Sequence, residues 1–205
     1  MAILDGRLRL AHKRDQDHYG RKAKSDGYAA RSVYKLEEIQ KRFHVFPADG
    51  RVLDLGCSPG SWSVYVKEVG GADTKLVGVD LNEVGGFAGH QFVASVFDVS
   101  VDELRDALGG GADFVMSDMA PDTTGNRFTD HVRQIELAEQ ARVLASELLV
   151  VGGNFVVKVF EGEDAPGLVE RIRSDYTKTK RVKPKATRKE SVEFFVVALG
   201  RKRRG

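Results

Sequence analysis

The chain is expected to fold as an α/β protein, a mostly parallel seven-stranded sheet with helices on both faces. Three observations predict it. Short apolar runs of strand length alternate with segments of helical period, which is how parallel sheets with crossover helices are written. The last two runs follow one another with no helix between, so one of them is expected to be antiparallel at the sheet edge. Finally, no linker, repeat or low-complexity segment interrupts residues 43–200.

The elements are taken in order. Apolar residues spaced as Ala30, Val33, Leu36, Ile39 and Phe43 predict an amphipathic helix from about Ala29. "FPADG" (46–50) is a loop. "RVLDLG" (51–56) is a first strand, and "SWSVYVKEV" (61–69) a helix stopped by Gly70-Gly71. "KLVGVDL" (75–81) and the weaker "GHQFVAS" (89–95) are the next strands. A short helix over 101–108 ends in "GGG", and "ADFVMSD" (112–118) is the fourth strand. A long helix is expected from about Thr129 to Val150, with Thr129 or Asp130 as its cap. "GNFVVKVF" (153–160) is the fifth strand, and 165–176 is a helix with Pro166 near its start. "TKRVKP" (179–184) and "VEFFVVALG" (192–200) complete the seven.

Charge divides the chain. Residues 1–42 and 171–205 together carry +15, and residues 43–170 carry −13, within a total of +2. Such asymmetry suggests a nucleic-acid partner reached by the chain ends, the alternative being solvated tails. Residues 1–24 read as a basic arm without apolar period, and 25–205 as a single domain with a basic tail. No apolar run approaches the ~20 residues of a membrane span, and the amino-terminal stretch lacks the apolar core of a signal peptide. Cys57 is the only cysteine, so no internal disulfide can form. A cytoplasmic monomer without metal or membrane contact is expected.

"VLDLGCSPGSW" (52–62) is a strand, a glycine-bearing loop and a helix start. Open α/β sheets bind ligands there, at the carboxyl ends of their strands. Gly56 and Gly60 allow close backbone approach, and Trp62 is placed to pack beside a ligand. The dinucleotide pattern G-x-G-x-x-G is absent, which favours a nucleoside without pyrophosphate, such as S-adenosylmethionine. Asp80, ending the second strand, is placed to accept both ribose hydroxyls. Asp98 could face an adenine amino group, and Asp118 a cationic amino group. Any one of these acids could instead be a cap or turn residue; four strand ends each with an acid nearby (Asp54, Asp80, Asp98, Asp118) are harder to dismiss. Cys57, with no histidine nearby, reads as a loop filler rather than a nucleophile.

Lys158 is out of place by composition, flanked by Val156, Val157, Val159 and Phe160. Burying an ammonium costs several kcal/mol in order of magnitude unless it is paired or neutral. The residue either snorkels from an edge strand or serves chemistry.

Several motifs, in order and spacing, bear on that choice: "GYAARSVYKLEEI" (27–39), "DLGCSPGSW", "MSDMAP", "GGNFVVKVF" and "VEFFVVALGRK". Together they resemble the FtsJ/RrmJ (RlmE) family of ribosomal RNA ribose 2′-O-methyltransferases, from about His18 to Lys202. The resemblance implies a Rossmann-like methyltransferase fold using S-adenosylmethionine. It also implies a Lys-Asp-Lys-Glu tetrad falling on Lys35, Asp118, Lys158 and Glu193. Glu190 competes with Glu193, but alignment of the last strand through "GRK" favours Glu193. Cofactor positions carry over to Gly60, Trp62, Asp80 and Asp118. The family's Gly-Asp after the third strand is Ser95-Val96 here, so Asp98 or a backbone group would have to replace that acid.

The implied reaction is methylation of a ribose 2′-hydroxyl, a uridine of large-subunit (23S) ribosomal RNA in the assembled subunit. Lys158 would steer the hydroxyl and take its proton, which a lysine does only as the neutral amine; burial and a second cation, Lys35, favour that form, and Asp118 pulls the other way. Asp118 would orient Lys158, and Glu193 would hold Lys35 or the ribose. Arg21, Lys22, Lys24, Arg31 and the terminal "RKRRG" are candidates for the RNA surface, with Tyr28, Tyr34 or Phe128 stacking on a base. Transfer RNA is the alternative substrate. A non-catalytic assembly factor is an alternative class, and a nicotinamide-dependent oxidoreductase a third.

Overall fold

The computed structural model describes residues 18–203. Helix α1 is seen over residues 18–25 and is followed by α2 (Val33–Phe43), β1 (Arg51–Leu55), α3 (Ser61–Val69), β2 (Lys75–Asp80) and β3 (His90–Val93). The chain continues through α4 (Val101–Leu108), β4 (Ala112–Ser117), α5 (Arg127–Leu148), β5 (Leu149–Phe160), α6 (Ala165–Asp175), β6 (Tyr176–Val182) and β7 (Glu193–Arg201). One seven-stranded sheet runs in the order β3-β2-β1-β4-β5-β7-β6. The first five strands pair in parallel, and β7 is antiparallel to both neighbours.

The antiparallel strand therefore lies inside the sheet, and β6 forms the edge. This corrects the expectation of an antiparallel edge strand. Period-2 alternation gives strand direction no signature; burial explains the insertion. β7 is apolar on both faces from Phe194 to Ala198, whereas β6 buries only Tyr176 and Val182 at its ends. The more apolar strand takes the two-sided position.

Alternation sorts the strand residues onto two cores. Leu53, Leu55, Val77, Val79, Val115, Phe155, Val157, Val159, Phe194 and Val196 pack against α4, α5 and α6. Val52, Leu76, Phe114, Met116, Val156, Phe195 and Val197 pack against α1, α2 and α3. Continuing the same alternation puts Asp54, Asp80, Asp118, Lys158 and Glu193 on the second face, above its apolar core.

Local chemistry sets several boundaries. α4 is capped by Ser100, whose hydroxyl accepts from the Glu103 N–H. The α5 cap is Asn126, which accepts from Phe128 and Thr129 N–H, not Thr129 or Asp130. Asp130 instead accepts from the Thr124 N–H and hydroxyl and the Gly125 N–H, tying the 120–126 loop onto the helix. These bonds, led by the Thr124 N–H, hold its carboxyl below the usual range. Within the stretch read as an arm, 18–25 are helical and Ala23 is buried against Tyr34, with Tyr19 one turn earlier. That packing fixes the described part of the helix against α2. The remainder of the arm, 1–17, lies outside the described residues, as do the last two positions of "RKRRG". Among the described residues, no helix is long and apolar enough to cross a membrane.

Candidate active site

At the carboxyl ends of β1, β2 and β4 lies a cleft of about 630 Å³. Gly56 forms its floor at φ +81°, where a Cβ would stand 2.5 Å from Met119 Cγ, so only glycine fits. Asp80 sits beside it, its two oxygens accepting from the Ser58 and Asn82 N–H groups at 2.9 Å each. Those donors fix the carboxylate while leaving lone pairs for a ligand. Leu81 and Phe97 line the same cleft though 72% and 53% exposed, apolar surface suited to a flat base. The lining carries Asp80, Asp118, Asp122 and Glu136 against Arg133 alone. Such a field disfavours a pyrophosphate and suits a nucleoside with a cationic tail.

Asp118 links this cleft to four charges in a row. Lys158 Nζ donates to the Asp118 backbone oxygen at 2.6 Å and stands 3.1 Å from its Oδ1. Lys35 Nζ is 4.0 Å from the same Oδ1 and 2.5 Å from Glu193 Oε1. Lys158 Nζ points at the backbone oxygen, and Asp118 Oδ1 is buried between the two lysine nitrogens. Lys158 and Lys35 are 6% and 9% exposed. Lys158 belongs to a central strand, which removes the edge-strand account of it.

Beyond Lys35 and Glu193 opens a second cleft, also about 630 Å³, lined by Arg31, Ser32, Ala186, Arg188 and Glu190. Burial, then the nearby Arg188 charge, lowers Arg31 from the ordinary guanidinium value. Two guanidiniums facing one space favour an anion between them. The four charged residues thus separate an acidic cleft from one of mixed charge, with Arg31, Lys35 and Arg188 against Glu190 and Glu193.

The sequence-predicted residues divide. Lys35, Asp118, Lys158 and Glu193 come together, and Gly56, Asp80 and Asp118 line the first cleft. Asp98 is exposed and off that lining, which Ser95, Val96 and Phe97 supply instead. Trp62 faces away from it: the ring packs on Phe195, and Nε1 donates to Ser32 O at 2.8 Å. With the Ala30 N–H bonded to Ser61 Oγ at 2.7 Å, that contact ties the start of α3 to the turn before α2, and so positions Lys35. Gly60 holds φ +94° with Val84 close by and is likewise off the lining. Cys57 is buried, its thiol pushed up by desolvation, in keeping with a filler. Tyr34 is buried and bonded to Asp26, whereas Phe128 is 74% exposed. Sequence reasoning missed Leu81, Phe97 and the polar inner face of α5; exposed apolar residues after strands were the available signal for the first two.

Fold and cleft position place the chain among α/β proteins whose ligand sites lie at the strand ends. It belongs to the FtsJ-like methyltransferase family, whose profile matches residues 28–201, and so is a methyltransferase. Ribosomal RNA large subunit methyltransferase E of Desulfosudis oleivorans is 43% identical over 193 residues, 93% of each chain. The enzyme of the same name from Rhodopseudomonas palustris TIE-1 is 45% identical over 205 residues, 95% of this chain and 86% of the relative. The crystal structure of a Plasmodium falciparum protein assigned as a ribosomal RNA methyltransferase superposes with a TM-score of 0.76 at 24% identity, covering 86% of this chain and all of that one. That likeness supports the fold.

Proposed function

We propose that the protein methylates a ribose 2′-hydroxyl of RNA, using S-adenosylmethionine, on a uridine of large-subunit ribosomal RNA in the assembled subunit. The observation that carries this reading is the Lys158–Asp118–Lys35–Glu193 row standing between an acidic cleft and a second cleft that Arg31 and Arg188 help to line. The names of the relatives favour large-subunit RNA over transfer RNA.

Asp80, Asp118, Leu81 and Phe97 would hold S-adenosylmethionine, which would supply an electrophilic methyl group. Arg31 and Arg188 would receive a phosphate of the RNA in the second cleft, bringing a ribose to Lys35 and Lys158. A 2′-hydroxyl is a weak nucleophile, so its proton must leave as charge develops. Lys158, as the neutral amine, orients the hydroxyl and receives that proton. Asp118 fixes Lys158 through its backbone oxygen, and Glu193 holds Lys35 beside the ribose. Glu193 pairs with Lys35, and the Asp118 carboxylate stands ready for the charge that Lys158 gains with the proton.

Methyl transfer from tritiated S-adenosylmethionine tests the reading. The acceptors are assembled large subunits, naked ribosomal RNA and bulk transfer RNA from a strain lacking the protein. Label in the subunit's RNA at one alkali-resistant linkage is expected. Label confined to transfer RNA overturns the substrate; no label with the cofactor bound favours an assembly factor.

A further inference from the structure

Three polar side chains are buried in the first two turns of α5: Asp130, His131 and Gln134, at 9%, 8% and 1% exposure. Asp130 holds the 124–125 turn, and His131 Nε2 accepts from the Asp164 N–H at 3.4 Å. Gln134 differs, because its carboxamide grips the main chain of β5 on both sides of Val159. Nε2 donates to the Lys158 carbonyl at 2.6 Å, and Oε1 accepts from the Phe160 N–H at 2.9 Å.

Topology explains why a grip is needed there. β4 runs beside β5 only as far as Ser117, opposite Val157, whereas β7 accompanies β5 to Phe160. Past Val157 one edge of β5 has lost its partner strand inside the protein. A residue of a parallel neighbour would accept from one N–H and donate to the carbonyl two residues earlier. The Gln134 carboxamide makes that same pair of bonds. Asp118 begins where β4 leaves the sheet, so Lys158 reaches it across the gap that Gln134 spans.

We infer that Gln134 is a positioning residue for Lys158: it stands in for the missing strand and holds the backbone so that Nζ reaches Asp118. This rests on the proposed role of Lys158 in methyl transfer. Displacement of a reacting group by about 1 Å costs on the order of 100-fold in rate. Without the carboxamide, the Lys158 carbonyl and Phe160 N–H are buried and unpaired, and β5 must shift to satisfy them.

Gln134→Met keeps the length and removes both bonds; Gln134→Glu keeps the acceptor and loses the donor. Leu144→Ala, deeper in the same helix, is the control for lost stability alone. At a temperature where all remain folded, Gln134→Met is expected to lower the single-turnover rate about 10- to 100-fold and to displace the pH profile of the rate. Affinity for S-adenosylhomocysteine and for large subunits stays within about twofold. A readout independent of turnover is the 13Cε signal of Lys158 at fixed pH, assigned by Lys158→Arg. It should move in both Gln134 variants and stay in place in Leu144→Ala. An unmoved signal in the two variants overturns the inference, whatever the rates. A moved signal in a protein that labels no RNA upholds the positioning and removes the proposed function.

Discussion

The two faces of the sheet use the same strands and end differently. Toward α4, α5 and α6, β5 presents Phe155, Val157 and Val159, and apolar packing continues to the strand end. Toward α2, the packing stops at Val156, Met116 and Phe195, and the next residues of that parity are Lys158, Asp118 and Glu193. One face is spent on stability. The other becomes polar where the parallel strands end and Lys35 of α2 descends to meet it. A reactive centre at a sheet's end can thus arise from polar residues at one end of strands whose other residues of the same parity are core.

Substitutions on each side test this division, taken in falling order of expected effect. Phe155→Ala should cost about 3–5 kcal/mol of unfolding free energy, read by urea denaturation. Its turnover should stay near that of the parent while folded; a large rate loss would mean that the faces are coupled.

Asp54 is the buried acid of the second face, bonded to Ser63 Oγ at 2.6 Å. Burial, with help from the Asp118 and Asp80 charges and against the Ser63 bond, pushes its carboxyl from 3.8 to about 7. The folded state therefore holds this proton more tightly than the unfolded chain. Its stabilising contribution is complete below about pH 4 and is lost as the pH rises to about 7, on the order of 4 kcal/mol in all. Asp54→Asn should gain stability relative to the parent between pH 5 and pH 8. A constant difference across that range would contradict the burial argument.

The smallest effect belongs to the second cleft. Arg188→Ala should weaken RNA binding across sequences and reduce the slope of log affinity against log salt by about one. An unchanged slope would remove Arg188 from the RNA surface.

Much of this division was legible in the sequence, because a lysine among valines violates core composition and the runs alternate strictly. Asp80 and Asp118 were legible as acids closing strands. The place of β7 was not, since neighbour order depends on which strand can be buried on both sides. Asp98 and Trp62 fall outside the cleft lining for a related reason. A position near a loop does not say which way the side chain turns, and Trp62 turns to the Ser32 carbonyl because its indole N–H needs an acceptor when buried. Gln134 gave no signal, since its partners are main-chain groups exposed only by the early end of β4.

The most direct test of the central claim is Lys158→Ala, measured by single-turnover methyl transfer to large subunits alongside S-adenosylhomocysteine affinity. A rate loss of about 100- to 10,000-fold with cofactor affinity nearly unchanged is the predicted result. Turnover equal to that of the parent would contradict the account, because the buried lysine would then serve the fold and not the reaction.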